Sequence, residues 1–201
     1  MNSALYLTHQ WKQVPDRIRK FILRGLFLLI LWKLAYVFYL APSALLDRPL
    51  TNRVGEQTTA LLNLLTGSSS FTSHYQVAGT IAAHNQLGPA ANAVVYYKER
   101  KVITIANACN GLELFVLYAG FLLCFPATLS RKLAYLAIGL PAIHVANILR
   151  CAALGFIGIW RPHLIEIAHH YVFKIVVYGL ILFLWWHFTS RINRAHAPAA
   201  A

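Results

Sequence analysis

The stretch ITIANACNGLELFVLY, residues 103–118, contains the change of sequence pattern that decides the fold. Before it, β-branched and aromatic residues recur as they do in strands. From Gly111 onward the sequence is apolar for the length of a helix. Cys109 lies at the junction, directly before Asn110 and Gly111. The stretch therefore predicts a strand-to-helix junction that presents a cysteine close to the N-terminus of a helix.

The composition of the whole chain is that of an integral membrane protein. Of 201 residues, 58% are hydrophobic and 12% are charged, whereas soluble domains usually carry about 25% charged residues. The 18 Lys and Arg against 6 Asp and Glu give a net charge of +12. Because the basic residues lie beside apolar runs, the excess indicates membrane topology and contact with anionic lipids. We expect the lipid bilayer as a partner and, since no nucleic-acid-binding motif is present, no nucleic acid.

The three cysteines do not predict a disulfide framework. Cys124 lies fifteen residues after Cys109, which is about 22 Å along a helix. These two residues therefore cannot pair on one straight helix. A pair between Cys109 and Cys151 is left open by the sequence.

Four apolar runs predict four membrane spans, since about 20 apolar residues cross a bilayer. The runs are residues 21–41, 111–125, 133–158 and 169–188. Arg24 and Lys33 lie inside the first run. We expect such side chains to extend to the interface or into a water-filled space between helices.

The segment between the first two runs, residues 42–108, predicts an insert outside the hydrocarbon layer. Residues 51–67 are amphipathic, with four leucines between positions 61 and 65, and are too short to span. They predict an interfacial helix. Residues 74–84 and 91–107 are rich in Val, Ile, Tyr and Thr and predict a two- or three-stranded hairpin, with a turn at residues 98–101.

The predicted fold class is a mainly α, integral membrane helical bundle of about four to six helices with a small extracytoplasmic β-hairpin insert. Residues 1–20 are predicted as a basic cytoplasmic lead, residues 21–188 as a single membrane-embedded domain, and residues 189–201 as a cytoplasmic tail.

Orientation follows from the basic residues of the short loops. With four spans, the basic lead, the turn at residues 131–132 and the arginines at 191 and 194 lie on one side. Cytoplasmic loops carry an excess of Lys and Arg. The sequence therefore predicts a multi-pass protein of the inner (plasma) membrane, with the 42–108 insert on the extracytoplasmic side.

Three polar residues converge at the outer end of this predicted bundle. Cys109 begins the second span, and His169 begins the fourth. Arg150 lies seventeen residues after Leu133, or about 26 Å along a span of roughly 30 Å. Helix N-termini and nearby cations favour the thiolate form of a cysteine. We therefore predict Cys109, Arg150 and His169 as the catalytic residues, without a cofactor or a metal.

Each of these residues also has an ordinary structural interpretation. A cysteine is commonly a small buried apolar residue, and an arginine one turn from the interface can extend to the headgroups. His169 and His170 are adjacent, and either could be interfacial. Asn147 lies on the helical face of Arg150 and could orient it. No metal-binding spacing such as HExxH is present.

The sequence resembles the exosortase/archaeosortase family of membrane transpeptidases, as a compact member with about four spans. The resemblance is carried by three segments in the family's order: ACNGLE at residues 108–113, NILR at 147–150 and HHYVF at 169–173. It implies that Cys109 is the nucleophile and Arg150 the conserved arginine. The H-x-x-x-[FG] pattern selects His169, because Phe173 occupies its fourth following position.

The resemblance further implies an activity and a partner. The protein would cleave the C-terminal sorting signal of secreted, membrane-anchored proteins, which consists of a short motif, a transmembrane helix and a basic tail. Cleavage would pass through a thioester that an amine or water resolves at the extracytoplasmic face. The substrate motif, the acceptor and the oligomeric state stay open.

Two other hypotheses follow from the sequence. The first is a non-catalytic membrane scaffold subunit for envelope or exopolysaccharide assembly, in which Cys109, Arg150 and His169 are replaceable. The second is an intramembrane metalloprotease, which chelators would inactivate.

Overall fold

The computed structural model describes residues 14–78 and 90–196. Helices and strands follow one another in the order α1 (Asp16–Ala35), α2 (Asp47–Thr66), β1 (Phe71–Ala78), β2 (Ala90–Tyr97), β3 (Arg100–Ala106), α3 (Leu112–Cys124), α4 (Leu129–Trp160) and α5 (Phe173–His196). A π-helical turn, Tyr36–Leu40, extends α1, and a second one, Ala168–Val172, precedes α5.

Within these described ranges, three helical segments are long and apolar enough to cross a membrane. They are Ile18–Ser43, Leu129–Trp160 and Pro162–Ile192. The other apolar helix, α3, has 13 residues and is about 20 Å long, shorter than the roughly 30 Å hydrocarbon layer. Three of the four predicted spans are therefore confirmed by length, and the second is a short helix. The predicted fold class, a helical membrane bundle with a small β insert, is confirmed.

Aromatic rings from four helices pack together at one end of the bundle. The ring centre of Phe21, near the start of α1, lies 5.5 Å from that of Phe121, near the end of α3. The ring centre of Phe188, late in α5, lies 5.5 Å from that of Phe125 and 5.0 Å from that of Tyr135, near the start of α4. The starts of α1 and α4 thus meet the ends of α3 and α5. The four apolar helices alternate in direction, which brings the beginning of α3 to the opposite end of the bundle.

A glycine allows α3 and α4 to pack closely. Tyr118 of α3 is fully buried, and its hydroxyl donates a hydrogen bond of 2.9 Å to the Tyr135 carbonyl of α4. The Tyr118 ring lies directly against Gly139, so that a Cβ on this glycine would overlap the ring. The missing side chain at Gly139 therefore sets the separation of the two helices.

The insert contains a three-stranded antiparallel sheet in the order β1-β2-β3. Phe71 pairs with Tyr97 in the first ladder. The turn between β2 and β3 consists of Lys98 and Glu99, which both have positive φ, at 47° and 65°. Two such residues make a type I′ turn, whose twist matches paired strands. The hairpin and its turn are thus confirmed, while residues 79–84 of the predicted first strand and the connection at residues 85–89 lie outside the described residues.

The amphipathic helix packs on the rest of the fold with part of its apolar face. Helix α2 contacts the sheet and α4, while Leu64 and Leu65 near its end are exposed. Val54 and Leu62 are fully buried there, in one core with Val95 of β2 and Ile105 of β3. Apolar periodicity is the same for a helix that binds lipid and one that binds a sheet, so the packing on the sheet was not foreseen, and the interfacial position of α2 stays a prediction.

We predict that replacing Gly139 with alanine destabilises the bundle by about 1–3 kcal/mol, because the new methyl group overpacks a filled contact. Thermal unfolding of the detergent-solubilised protein measures the effect. Gly179→Ala in α5 is the control, since nothing lies within 4 Å of a Cβ at that position. Equal unfolding temperatures for the two variants would contradict the packing described here.

Candidate active site

The predicted strand-to-helix junction is a 3₁₀ turn, Asn107–Cys109, between β3 and α3. Gly111 follows with φ of 91°, in a conformation that residues with a Cβ rarely adopt. A Cβ at this position would also lie 3.3 Å from Asn147 Nδ2 of α4. Glycine therefore allows the chain to leave the turn and begin α3 while α4 packs closely against it.

Asn147 fixes the backbone of the turn. Its side chain is fully buried, and its Nδ2 donates a hydrogen bond of 2.9 Å to the Cys109 carbonyl. The sequence suggested that Asn147 orients Arg150, one turn later in α4. The structure instead directs the Asn147 amide to the backbone of Cys109, so that α4 holds the turn in place.

Two cavities share the residues around this turn. The smaller, of about 300 Å³, lies beside residues 101–105 of β3. The larger, of about 540 Å³, lies between α1, α3, α4 and α5. Cys109, Arg150 and His169 line both cavities. The three residues proposed from the sequence are thus brought together at one place, and their chemical roles stay predictions.

Arg150 brings a cation to this place. Its side chain lines both cavities beside Cys109. Its Nε and Nη2 are enclosed and form no hydrogen bond within residues 14–78 and 90–196, which is costly in apolar surroundings. The arrangement puts a guanidinium charge at the walls of both cavities.

The two adjacent histidines differ in their surroundings. Both belong to the π-helical turn before α5, and their ring centres lie 5.1 Å apart. His169 is half-buried and lines both cavities, whereas His170 is exposed and lines only the larger one. Of the two histidines, His169 is thus the one that borders both cavities with Cys109, and its role as the partner of Cys109 stays a prediction.

The sequence of this chain matches the model of one protein family. The family model described as transmembrane exosortase matches residues 19–187, which is most of the chain. The chain belongs to the transmembrane exosortase family. No curated protein and no solved structure matches it. The exosortase match includes α1 to α4, the sheet and most of α5, and therefore all residues that line the two cavities.

A buried polar network in this exosortase was not foreseen from the sequence. Asp47, the first residue of α2, is 2% exposed. Its Oδ1 accepts a hydrogen bond of 2.7 Å from Asn110 Nδ2, and its Oδ2 accepts one of 2.9 Å from the Tyr36 hydroxyl. Thr51 accepts from Asn110 and donates to Asn107 Oδ1 at 3.0 Å. The only sequence signal was an acidic residue soon after an apolar run, in a chain that has 6 acidic residues.

The deep lysine of the first span is paired. Lys33 Nζ lies 3.3 Å from Glu113 Oε1, at the wall of the larger cavity. The sequence left two positions open for Lys33, the interface and a water-filled space between helices, and the cavity provides the second. Lys174 of α5 lines the same cavity. With Arg150, these residues give the exosortase cavity an excess of positive charge.

The described residues contain no group of three or more His, Cys, Asp or Glu side chains that could hold a metal ion. The metalloprotease hypothesis therefore has no ligand set in that part of the exosortase. Cys109, Cys124 and Cys151 are all free thiols, so the pair between Cys109 and Cys151 that the sequence left open is not formed.

We predict that Asn147→Ala destabilises the folded protein by about 1–2 kcal/mol, because the Cys109 carbonyl loses its side-chain donor. Val145→Ala is the control, since Val145 lies on the same helix and is 53% exposed. Thermal unfolding in detergent compares them. If Asn147→Ala unfolds at the temperature of the control, the hydrogen bond does not hold the turn.

Proposed function

We propose that this exosortase is a membrane-embedded cysteine transpeptidase or protease that cleaves the C-terminal sorting signal of secreted proteins. The observation that carries the proposal is the common position of Cys109, Arg150 and His169 on the walls of two adjoining cavities. Family membership supports the same class of activity. The three groups supply a nucleophile, a fixed cation and a proton carrier.

The first half of the reaction forms a thioester. His169 accepts the thiol proton of Cys109, and the sulfur attacks the carbonyl carbon of the scissile peptide bond. The electron pair of the carbonyl moves to its oxygen, where the positive charge of the Arg150 guanidinium stabilises the negative charge. The C–N bond then breaks, and the protonated His169 returns its proton to the leaving amine.

The second half resolves the thioester. An acceptor amine or a water molecule loses a proton to His169 and attacks the thioester carbonyl. The oxyanion forms again beside Arg150, and the sulfur of Cys109 leaves and regains its proton. Transfer and hydrolysis use the same groups and differ only in the molecule that enters the cavity.

The two cavities suit the two parts of such a substrate. The smaller cavity borders β3, which can accompany an extended peptide. The larger one opens between membrane helices and suits the beginning of an apolar segment. We propose that both lie at the extracytoplasmic face of the inner membrane, because the basic turns of the chain cluster at the other end of the bundle.

We predict that Cys109→Ala abolishes processing, since loss of a nucleophile lowers turnover by about a million-fold in comparable enzymes. The measurement is the size of a secreted reporter, co-expressed in cells, whose C-terminus carries a motif, a transmembrane helix and a basic tail. Cys124→Ala is the matched control, because Cys124 is buried at the opposite end of α3.

Normal processing by a membrane-inserted Cys109→Ala variant would contradict the proposal. It would favour the non-catalytic scaffold, which needs no nucleophile. The amount of each variant in the membrane fraction is therefore measured beside the reporter.

We predict that His169→Ala lowers processing by about 100- to 10,000-fold, which is the usual contribution of a general acid–base. His170→Ala is the matched control in the adjacent position and is expected to retain most activity. Initial rates of reporter cleavage in membranes compare the two. The reverse order of effects would assign the proton transfer to His170.

A further inference from the structure

We propose that Asp47 is a positioning residue for the nucleophile: through Asn110 it fixes the turn that directs the Cys109 thiol into the two cavities. The inference rests on the proposed function, because the thiol that it positions is the proposed nucleophile. Asp47 does not line either cavity, so it acts through its neighbours and not on the substrate.

The contacts of Asp47 connect it to the turn. Its Oδ1 accepts the 2.7 Å hydrogen bond from Asn110 Nδ2, and Asn110 is only 1% exposed. Asn110 Oδ1 in turn accepts a hydrogen bond of 2.8 Å from the backbone N–H of Leu112, the first residue of α3. The Asp47 carboxylate thus holds the side chain that caps the helix after Cys109.

Two further hydrogen bonds restrain the turn, one from α2 and one from α4. Thr51, one turn after Asp47 in α2, donates to Asn107 Oδ1 at the beginning of the turn. Asn147 donates to the Cys109 carbonyl from α4. Both Asn107 and Asn110 are therefore held by side chains of α2. The Cys109 side chain is left to face the cavities.

The carboxylate is well suited to this role because it has no competing ionic partner. No basic side chain that the structure describes forms an ion pair with Asp47. Hydrogen bonds to a charged group are shorter and stronger than neutral ones. A buried carboxylate that relies on hydrogen bonds therefore keeps its donors, Tyr36 and Asn110, in fixed directions.

Tyr36 extends the network to the first membrane helix. Its hydroxyl donates to Asp47 Oδ2 at 2.9 Å, and it begins the π-helical turn after α1. Such turns are frequent at functional sites. Asp47 thus joins three parts of the structure: the end of α1, helix α2 and the turn that contains Cys109.

The test uses the purified full-length protein in detergent. Asp47→Ala removes the acceptor of the Asn110 amide and of the Tyr36 hydroxyl, and we expect turnover of a sorting-signal peptide to fall by about 10- to 100-fold. KM is expected to stay unchanged, because a displaced nucleophile affects the chemical step alone. Alkylation of Cys109 by iodoacetamide, quantified by mass spectrometry of its peptide, is expected to change rate by about tenfold or more.

A reciprocal exchange separates positioning from a merely structural role. Asn110→Asp places a second carboxylate against Asp47 and is expected to lose turnover as Asp47→Ala does. The double variant D47N/N110D reverses the pair, so that the new amide donates to the new carboxylate. The carboxylate introduced in the double variant would still accept from the Leu112 N–H. We expect this variant to recover most of the turnover and alkylation rate that Asn110→Asp loses; the weaker hydrogen bond from Asn110 to Thr51 is the contact that the exchange does not restore.

Glu56→Ala is the control, because it removes an exposed carboxylate from the same helix α2. Unchanged turnover and alkylation in Asp47→Ala overturn the proposal. So does a double variant that folds without recovering the loss of Asn110→Asp. If Asp47→Ala does not fold, the comparison of Asn110→Asp with the double variant decides alone.

The two readouts separate this inference from the proposed function. Alkylation of Cys109 requires no substrate. If the protein shows no turnover but Asp47→Ala changes the alkylation rate of Cys109, the positioning role stands and the proposed enzymatic function fails. If the unsubstituted protein turns over the peptide and Asp47→Ala changes neither turnover nor alkylation, the enzymatic function stands and the positioning role fails.

Discussion

The hydrogen bond from Asn147 to the Cys109 carbonyl joins the two halves of the molecule. One half is the sheet with α2, and the other is the membrane bundle. The fully buried side-chain amide of Asn147 in α4 donates to this carbonyl, because a backbone carbonyl that leaves water needs a donor. Gly111 is required because any Cβ there would press on this amide. The position of the thiol, and with it the common wall of the two cavities, depends on this contact.

Much of the architecture could be predicted because helices and strands have fixed dimensions. A rise of about 1.5 Å per residue was sufficient to bring Arg150 to the level of Cys109 and His169, and the three residues do line the same cavities. The alternating runs of the insert likewise predicted the hairpin and its turn at Lys98 and Glu99. These features depend on local periodicity and on length, which a single sequence contains.

The features that were missed depend on contacts between distant parts of the chain. Asp47 and Asn110 are 63 residues apart, and nothing local indicates that a carboxylate near the end of an apolar run would hold the cap of a later helix. The packing of α2 on the sheet was likewise not foreseen, because its apolar periodicity fits lipid and sheet equally well. The length of α3 was overestimated for a related reason. Its apolar run includes Gly111, which the fold uses to leave the turn, and Phe125, which ends the helix in an extended conformation.

The short α3 also has a consequence for the surrounding bilayer. A 13-residue helix leaves a hydrophobic mismatch of about 10 Å with an average membrane, and a bilayer adapts to a short helix by becoming thinner beside it. Leu123 of α3 is exposed and can meet the lipid of a thinned bilayer, whereas Leu117 lines the larger cavity. Headgroups and water would then descend beside α3 towards Lys33 and Glu113. Local thinning thereby lowers the cost of placing charged side chains within the bundle.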